Sequence, residues 1–140
     1  MSLYLLDTDH FSHYCQGTPR VVKQVLAHLT HRLAISVITV EESLGGWQRS
    51  LSQAGRDRLR KANIYFRMAR TAESIAGWTV IPFSIAAMDR YDVLRGLRLN
   101  VGGDDLRIAA TALEAGATVV TANVRDFSRV SGLQIEDWTS

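Results

Sequence analysis

The segment 101–127, V-G-G-D-D-L-R-I-A-A-T-A-L-E-A-G-A-T-V-V-T-A-N-V-R-D-F, restricts the fold more than any other part of the chain. Gly102 and Gly103 release the backbone for a loop. Asp104 and Asp105 follow, a residue type that accepts first-turn N–H groups and suits the positive end of the helix dipole. Leu106, Ala109, Ala110 and Leu113 fall at helical intervals and define one apolar face. Gly116 is a helix stop. Thr118-Val119-Val120-Thr121 is a short β-branched run, expected as a buried strand. Asn123 and Asp126 lie past its carboxyl end, the side of an open α/β sheet where ligands collect.

The two aspartates are not equivalent. With Asp104 as the N-cap, Asp105 becomes the first helical residue and shares a face with Ile108 and Ala109, which a sheet should cover. A carboxylate placed there needs a partner or a cation. On this segment alone the plainer account, that both acids only cap the helix, carries somewhat more weight.

Strands and helices alternate along the rest of the chain. L-Y-L-L at 3–6 is an apolar run, hence a strand buried on both faces. Asp7 ends it. Thr8 or Asp9 can cap a helix beginning near Phe11, which leaves Asp7 no local task beyond that of a turn aspartate. Pro19 opens a second helix with Val21, Val22, Val25, Leu26 and Leu29 on its inner side. Residues 33–36 read as the second strand. The spacing then predicts a helix over 37–52, with Val37, Val40, Leu44, Trp47 and Leu51 as its stripe. Glu41 and Glu42 sit in its first turns. Periodicity does not choose between them, and both could simply complement the helix N-terminus. A long helix over 56–76 pairs with its predecessor as a helical hairpin projecting from the sheet. Residues 78–81 form the third strand, stopped by Pro82. Ser84 caps a helix over 85–97, where Asp89 and Asp92 lie near Arg90 and Arg95 on a salt-linked surface. Residues 133–135 form a short last strand, and Trp138 packs the C-terminal end. The alternation predicts a mostly parallel sheet of four or five strands.

Composition narrows the function. The chain has 140 residues, 46% of them hydrophobic, enough for one domain spanning 1–140. The single Cys15 excludes an internal disulfide framework and a cysteine zinc cluster, which points to an intracellular, cytoplasmic protein. No signal-peptide core and no apolar run of transmembrane length is present, so no membrane partner is expected. The net charge is only +2. The basic residues Arg49, Arg56, Arg58, Arg60, Lys61, Arg67 and Arg70 nevertheless cluster, with only Asp57 against them. That patch suits phosphate contacts, or equally a solvated helix face or an acidic protein partner. His10/His13 and His28/His31 have helical i, i+3 spacing but no third ligand at a telling interval, so all four read as surface or packing residues.

Acids thus recur at one topological place: Asp7 after the first strand, Glu41 or Glu42 after the second, Asp105 opening the helix before the fourth, and Asp126, with Asn123, after the fourth. Carboxyl ends of parallel strands share one sheet edge, so these groups should converge. Converging carboxylates repel unless they share protons or cations. Hard oxygen donors without cysteine suit Mg2+ or Mn2+, ions that activate water and stabilise the leaving oxygen of an in-line displacement. No phosphate-binding glycine loop and no nucleophile elbow accompanies them.

L-L-D-T-D at 5–9, S-V-I-T-V-E-E at 36–42, G-D-D-L-R-I-A-A at 103–110, T-A-N-V-R-D-F at 121–127 and I-E-D-W at 135–138 together resemble the PIN-domain family, closest to its VapC-type toxins. The resemblance runs in order across nearly the whole chain. It implies a three-layer α/β/α fold, a homodimer, a Mg2+- or Mn2+-dependent endoribonuclease acting on RNA, tRNA among the possible targets, and a cognate antitoxin that fills the groove and blocks the acids. Carried over residue by residue, it assigns Asp7, Glu42 and Asp105 to the metal, with the I-T-x-x-E pattern selecting Glu42 over Glu41. Many PIN domains carry an aspartate where this chain has Asn123, so Asp126 is expected to complete the catalytic set. Thr39 and Thr121 would orient ligands or water, and Arg49 and Arg56, with Asn123 and Thr121, are candidates for holding RNA. Two other readings compete. A haloacid-dehalogenase-like phosphatase would fit D-T-D at 7–9 but wants a late lysine, and the last lysine is Lys61. A non-catalytic RNA- or protein-binding module would need no metal.

Overall fold

The apolar run Leu3–Leu6 forms the central strand, β1, of a five-stranded sheet. A computed structural model describes residues 2–139. The other strands are β2 (Arg32–Ser36), β3 (Thr79–Ile81), β4 (Thr118–Val120) and β5 (Ile135–Glu136), in the order β3-β2-β1-β4-β5. Every neighbouring pair is parallel, with Tyr4 opposite both Leu33 and Thr118. The connecting helices are α1 (Thr8–Cys15), α2 (Pro19–Ala27), α3 (Val37–Ala54), α4 (Arg58–Ala76), α5 (Ile85–Gly96), α6 (Gly103–Ala115) and α7 (Val124–Phe127).

Alternation along the strands divides the interior in two. Leu5, Ala34 and Val119 join Leu94, Leu106, Ile108, Ala109 and Phe127 on one face. Leu6, Ile35 and Val120 join Phe11, Val21, Val25 and Trp138 on the other. The result is the expected three-layer arrangement. Burial of each large side chain contributes about 1.5–3 kcal/mol.

Strand exits are tight because their last polar residues double as caps. Asp7 accepts the His10 N–H at 2.9 Å and starts α1 at Thr8, not near Phe11. Ser36 ends β2 and accepts the Ile38 N–H at 3.0 Å, starting α3 at once. Asp7 therefore does have a local task, and neither Thr8 nor Asp9 is the cap. α6 begins two residues earlier than expected: Gly102, not Asp104, is its N-cap, so Asp104 and Asp105 both lie inside the first turn. Asp104 is engaged by Arg107 at 3.1 Å. Gly116 closes α6 in the left-handed region, φ 69°, where its missing Cβ matters.

Other differences follow from which neighbours reach each face. Leu26 and Leu29 on or after α2 are exposed, as are Leu59 and Phe66 of α4. In α3, Ile38 and Thr39 turn inward while Val37 faces outward, because the cap at Ser36 sets the first turn. Arg90 of α5 bonds Glu114 of α6 at 2.5 Å instead of Asp89 or Asp92. β5 lies slightly later than expected, at Ile135–Glu136. α3 and α4 are joined by a short turn at Gly55 and clasped by Trp47 Nε1 donating to Thr71 Oγ1 at 2.9 Å. No helix among the described residues is long and apolar enough to cross a membrane.

Candidate acidic active site

Parallel β1, β2 and β4 end on one edge, and their exits deliver acids there. Asp7 is nearly fully buried. Thr8, next to it, donates to Glu42 Oε1 at 2.5 Å. With that proton committed, the Thr39 hydroxyl, 3.0 Å away and wholly buried, donates to Thr8. This chain of hydroxyls ties the β1 exit to the first turns of α3. The two glutamates differ here: Glu42 is half-buried and bonded to Thr8, while Glu41 is exposed.

The β4 side is tied by Asn123. Its Nδ2 donates to Asp126 Oδ2 at 3.0 Å and to Asp105 Oδ2 at 3.3 Å. One amide thus bridges two carboxylates, which holds them together without a third negative charge. Arg129 completes the pair from behind, donating to Asp126 Oδ1 at 3.2 Å and to the Asn100 carbonyl at 2.8 Å. The loop that offers this carbonyl has Arg98 and Asn100 at φ 53° and 60°. Such left-handed backbone is uncommon outside glycine.

The acids sense one another. Burial pushes the Asp105 carboxyl above its ordinary range, Asp7 pushes it further, and Asp9 and Asp126 add to this; only the Asn123 bond opposes. Burial likewise raises Glu42, with Thr8 opposing and Asp104 and Asp105 reinforcing. Among the described residues, no three His, Cys, Asp or Glu side chains close on one point as a ready-made cage. The donor set still fits a small hard cation. Its atoms are oxygens, Mg2+ takes one or two carboxylates and keeps several waters, and a positive charge would relieve the repulsion at Asp105.

Of the expected residues, Asp7, Glu42, Asp105, Asn123 and Asp126 are thus linked through contacts or mutual repulsion. Thr121 is fully buried, and its hydroxyl accepts the Asn123 N–H at 2.9 Å. It shapes the turn that carries Asn123. Arg49 and Arg56 are exposed, and neither is among the side chains that line the groove beside the acids, although the Arg49 guanidinium packs near Gly46 at its wall. This groove, about 760 Å³, runs between α1, α3 and α4. Asp9 and Glu42 stand on its wall, Phe11, Cys15 and Trp47 give it apolar surface, and Arg67 and Arg70 bring positive charge. The sequence reading missed the roles of Thr8 and Arg129. The i, i+3 spacing of Asp126 and Arg129 was the available signal for the latter.

A family profile described as PIN domain matches residues 4–133. The tRNA(fMet)-specific endonuclease VapC of Salmonella typhimurium is 28% identical over 142 residues, covering 99% of each chain. Ribonuclease VapC1 of Haemophilus influenzae is 25% identical over 145 residues, covering 98% of each. Among solved structures, DNA-bound VapBC from Salmonella typhimurium matches with a TM-score of 0.82 and 26% identity over 99% of both chains. VapBC-1 from nontypeable Haemophilus influenzae matches with a TM-score of 0.68 and 26% identity, again over 99% of both. The sheet order, the acids at its carboxyl edge and a profile match over most of the length agree: the chain belongs to the PIN domain family.

Proposed function

We propose that this chain is a divalent-metal-dependent endoribonuclease, the toxin of a toxin–antitoxin pair. The observation that carries the reading is the gathering of acids at the carboxyl edge of the sheet: Asn123 bridges Asp105 and Asp126, and Thr8, next to Asp7, holds Glu42. Relatives named ribonuclease and tRNA(fMet)-specific endonuclease support RNA as the substrate, with tRNA the first to test. Mg2+ or Mn2+ would be held by Asp7 and Asp105, with Glu42 binding directly or through water. Such an ion supplies an activated water and charge neutralisation for phosphodiester hydrolysis.

The chain's own groups do the rest. Asn123 keeps Asp105 and Asp126 in register, and Arg129 fixes the far oxygen of Asp126. Asp126 completes the acidic pocket. Thr8 orients Glu42 and favours its ionised form. Arg67 and Arg70 contact phosphates of an RNA strand crossing the groove. The matched solved structures include VapBC complexes, and the same groove is the seat proposed for an antitoxin segment that occludes the acids. A homodimer in the cytoplasm is part of this reading.

The test is RNA cleavage by the purified chain, with tRNA and unstructured RNA, in Mn2+ and then in EDTA. Cleavage should require the metal and vanish in Asp105→Asn while the variant stays folded. Metal-independent cleavage, or full activity in Asp105→Asn, would sink the reading.

A further inference from the structure

His10 has no part in the mechanism above, yet it is completely buried and touches the site from behind. Its Nε2 accepts the backbone N–H of Trp138 at 3.1 Å. A ring nitrogen that accepts carries no proton, so the proton of the neutral ring sits on Nδ1. Nδ1 lies 3.4 Å from Asp7 Oδ1 and has no hydrogen-bond partner within the described residues. The opposite tautomer would need an acceptor at Nε2. Asp137 Oδ1 lies 3.7 Å away, but it already accepts the Thr139 N–H at 2.8 Å and the Thr139 hydroxyl at 2.5 Å. The Trp138 N–H points at the nitrogen and decides.

A buried ring N–H with no in-line acceptor is costly to keep, and such groups in folded proteins call for a reason. The nearest acceptor is the Asp7 carboxylate, which already takes the His10 backbone N–H at 2.9 Å. Resting on the nuclease reading above, we propose that His10 is a positioning residue. Its Nδ1–H steadies the Asp7 carboxylate in the orientation that receives the metal, and the Trp138 backbone sets the tautomer that makes this possible. The C-terminal segment after β5, through Trp138 (3% exposed), is thereby wired to the acid after β1. Carboxylates and histidines of metal sites are commonly held by such outer partners.

Two variants separate the ends of the ring. In His10→Asn the side-chain amide N–H occupies the place of Nδ1, but nothing accepts from Trp138. In His10→Gln the amide oxygen reaches the place of Nε2, but no donor faces Asp7. Both should unfold at lower temperature. Only His10→Gln should bind Mn2+, titrated calorimetrically as the metal alone, about tenfold more weakly, with kcat reduced to a similar degree and KM for RNA unchanged. Equal Mn2+ affinity and kcat in the two variants would mean a packing role only and overturn the proposal. A readout independent of variant folding is 15N NMR of the His10 ring in the unmodified chain. A protonated Nδ1 whose resonance shifts on Mg2+ addition is expected; a protonated Nε2, or no response to Mg2+, overturns it. If the unmodified chain neither binds Mn2+ nor cleaves RNA, the nuclease reading itself has failed, and this inference with it.

Discussion

Replacing Asn123 by aspartate should load the acidic edge with one charge too many. Its amide donates to Asp126 at 3.0 Å and Asp105 at 3.3 Å. Losing bonds to ionised acceptors costs roughly 1.5–3 kcal/mol. A carboxylate in the amide's place would also face two others at about 3 Å. At an effective dielectric near 20 each such pair repels by about 5 kcal/mol. All three side chains are partly exposed, so rotation and water absorb most of that. The expected net loss at pH 7 without metal is about 3 kcal/mol, against about 2 kcal/mol for Asn123→Ala, which removes the bonds but adds no charge. At roughly 3 °C per kcal/mol for a chain of this size, the aspartate variant should melt about 9 °C lower than the unmodified chain and the alanine variant about 6 °C lower. The sign with pH follows from the raised carboxyls. Repulsion sets in as pH rises through the carboxylate range and is absent below it, so the gap between the variants should close by about pH 4. Mn2+ should close it at pH 7 as well. Thermal unfolding followed by circular dichroism, in EDTA at both pH values and then with Mn2+, makes the comparison. Identical melting of the two variants at pH 7, or a gap unchanged at low pH, would refute the charge argument.

Asp7 has two duties that substitutions can separate. Asp7→Asn should keep the cap on α1 and near-normal stability, whereas Asp7→Ala should lose about 1 kcal/mol in chemical denaturation, and both should abolish RNA cleavage. Thr8→Val removes the bond that opposes the upward shift of Glu42, so the Glu42 carboxyl should rise further and the acidic limb of the kcat/KM profile should move to higher pH. An unmoved limb would exclude ionised Glu42 as a requirement. Arg67→Ala and Arg70→Ala should raise KM for RNA and each lower the slope of log affinity against log salt by about 1, while Arg56→Ala, outside the groove, should change neither.

Much of this architecture could be read from residue order because its signals are local. L-Y-L-L, the β-branched run at 118–121 and Gly116 each specify their own element. Asp105 stood out through Ile108 and Ala109, which are indeed fully buried. What could not be read depends on neighbours distant in sequence. Leu26 and Leu29 continue an apolar face, but periodicity marks a direction and not whether another layer lies there. The start of α1 was obscured because Thr8, Asp9 and His10 are all polar, and only the Asp7–His10 bond decides among them. The burial of Thr121, and the bond from the Asn123 N–H to its hydroxyl, depend on how the chain turns after β4 and left no mark in the sequence. The basic cluster was visible, but the packing of α3 on α4 determines that Arg67 and Arg70, and not Arg49 or Arg56, face the groove.

β1 pairs on one side with β2 and on the other with β4, so Tyr4 meets Thr118 across most of the chain's length. During synthesis, β1 waits for one of its two neighbours until β4, which begins at Thr118, has been made. Asp7 emerges early; Asp105, Asn123 and Asp126 emerge late. A nascent or prematurely ended chain therefore carries half an acidic edge, with neither the charge density nor the bridging amide of the finished one. Long-range parallel pairing of this kind is slow to form. For a protein that would cut RNA, that order of assembly delays the hazard until β4 and α7 have been made.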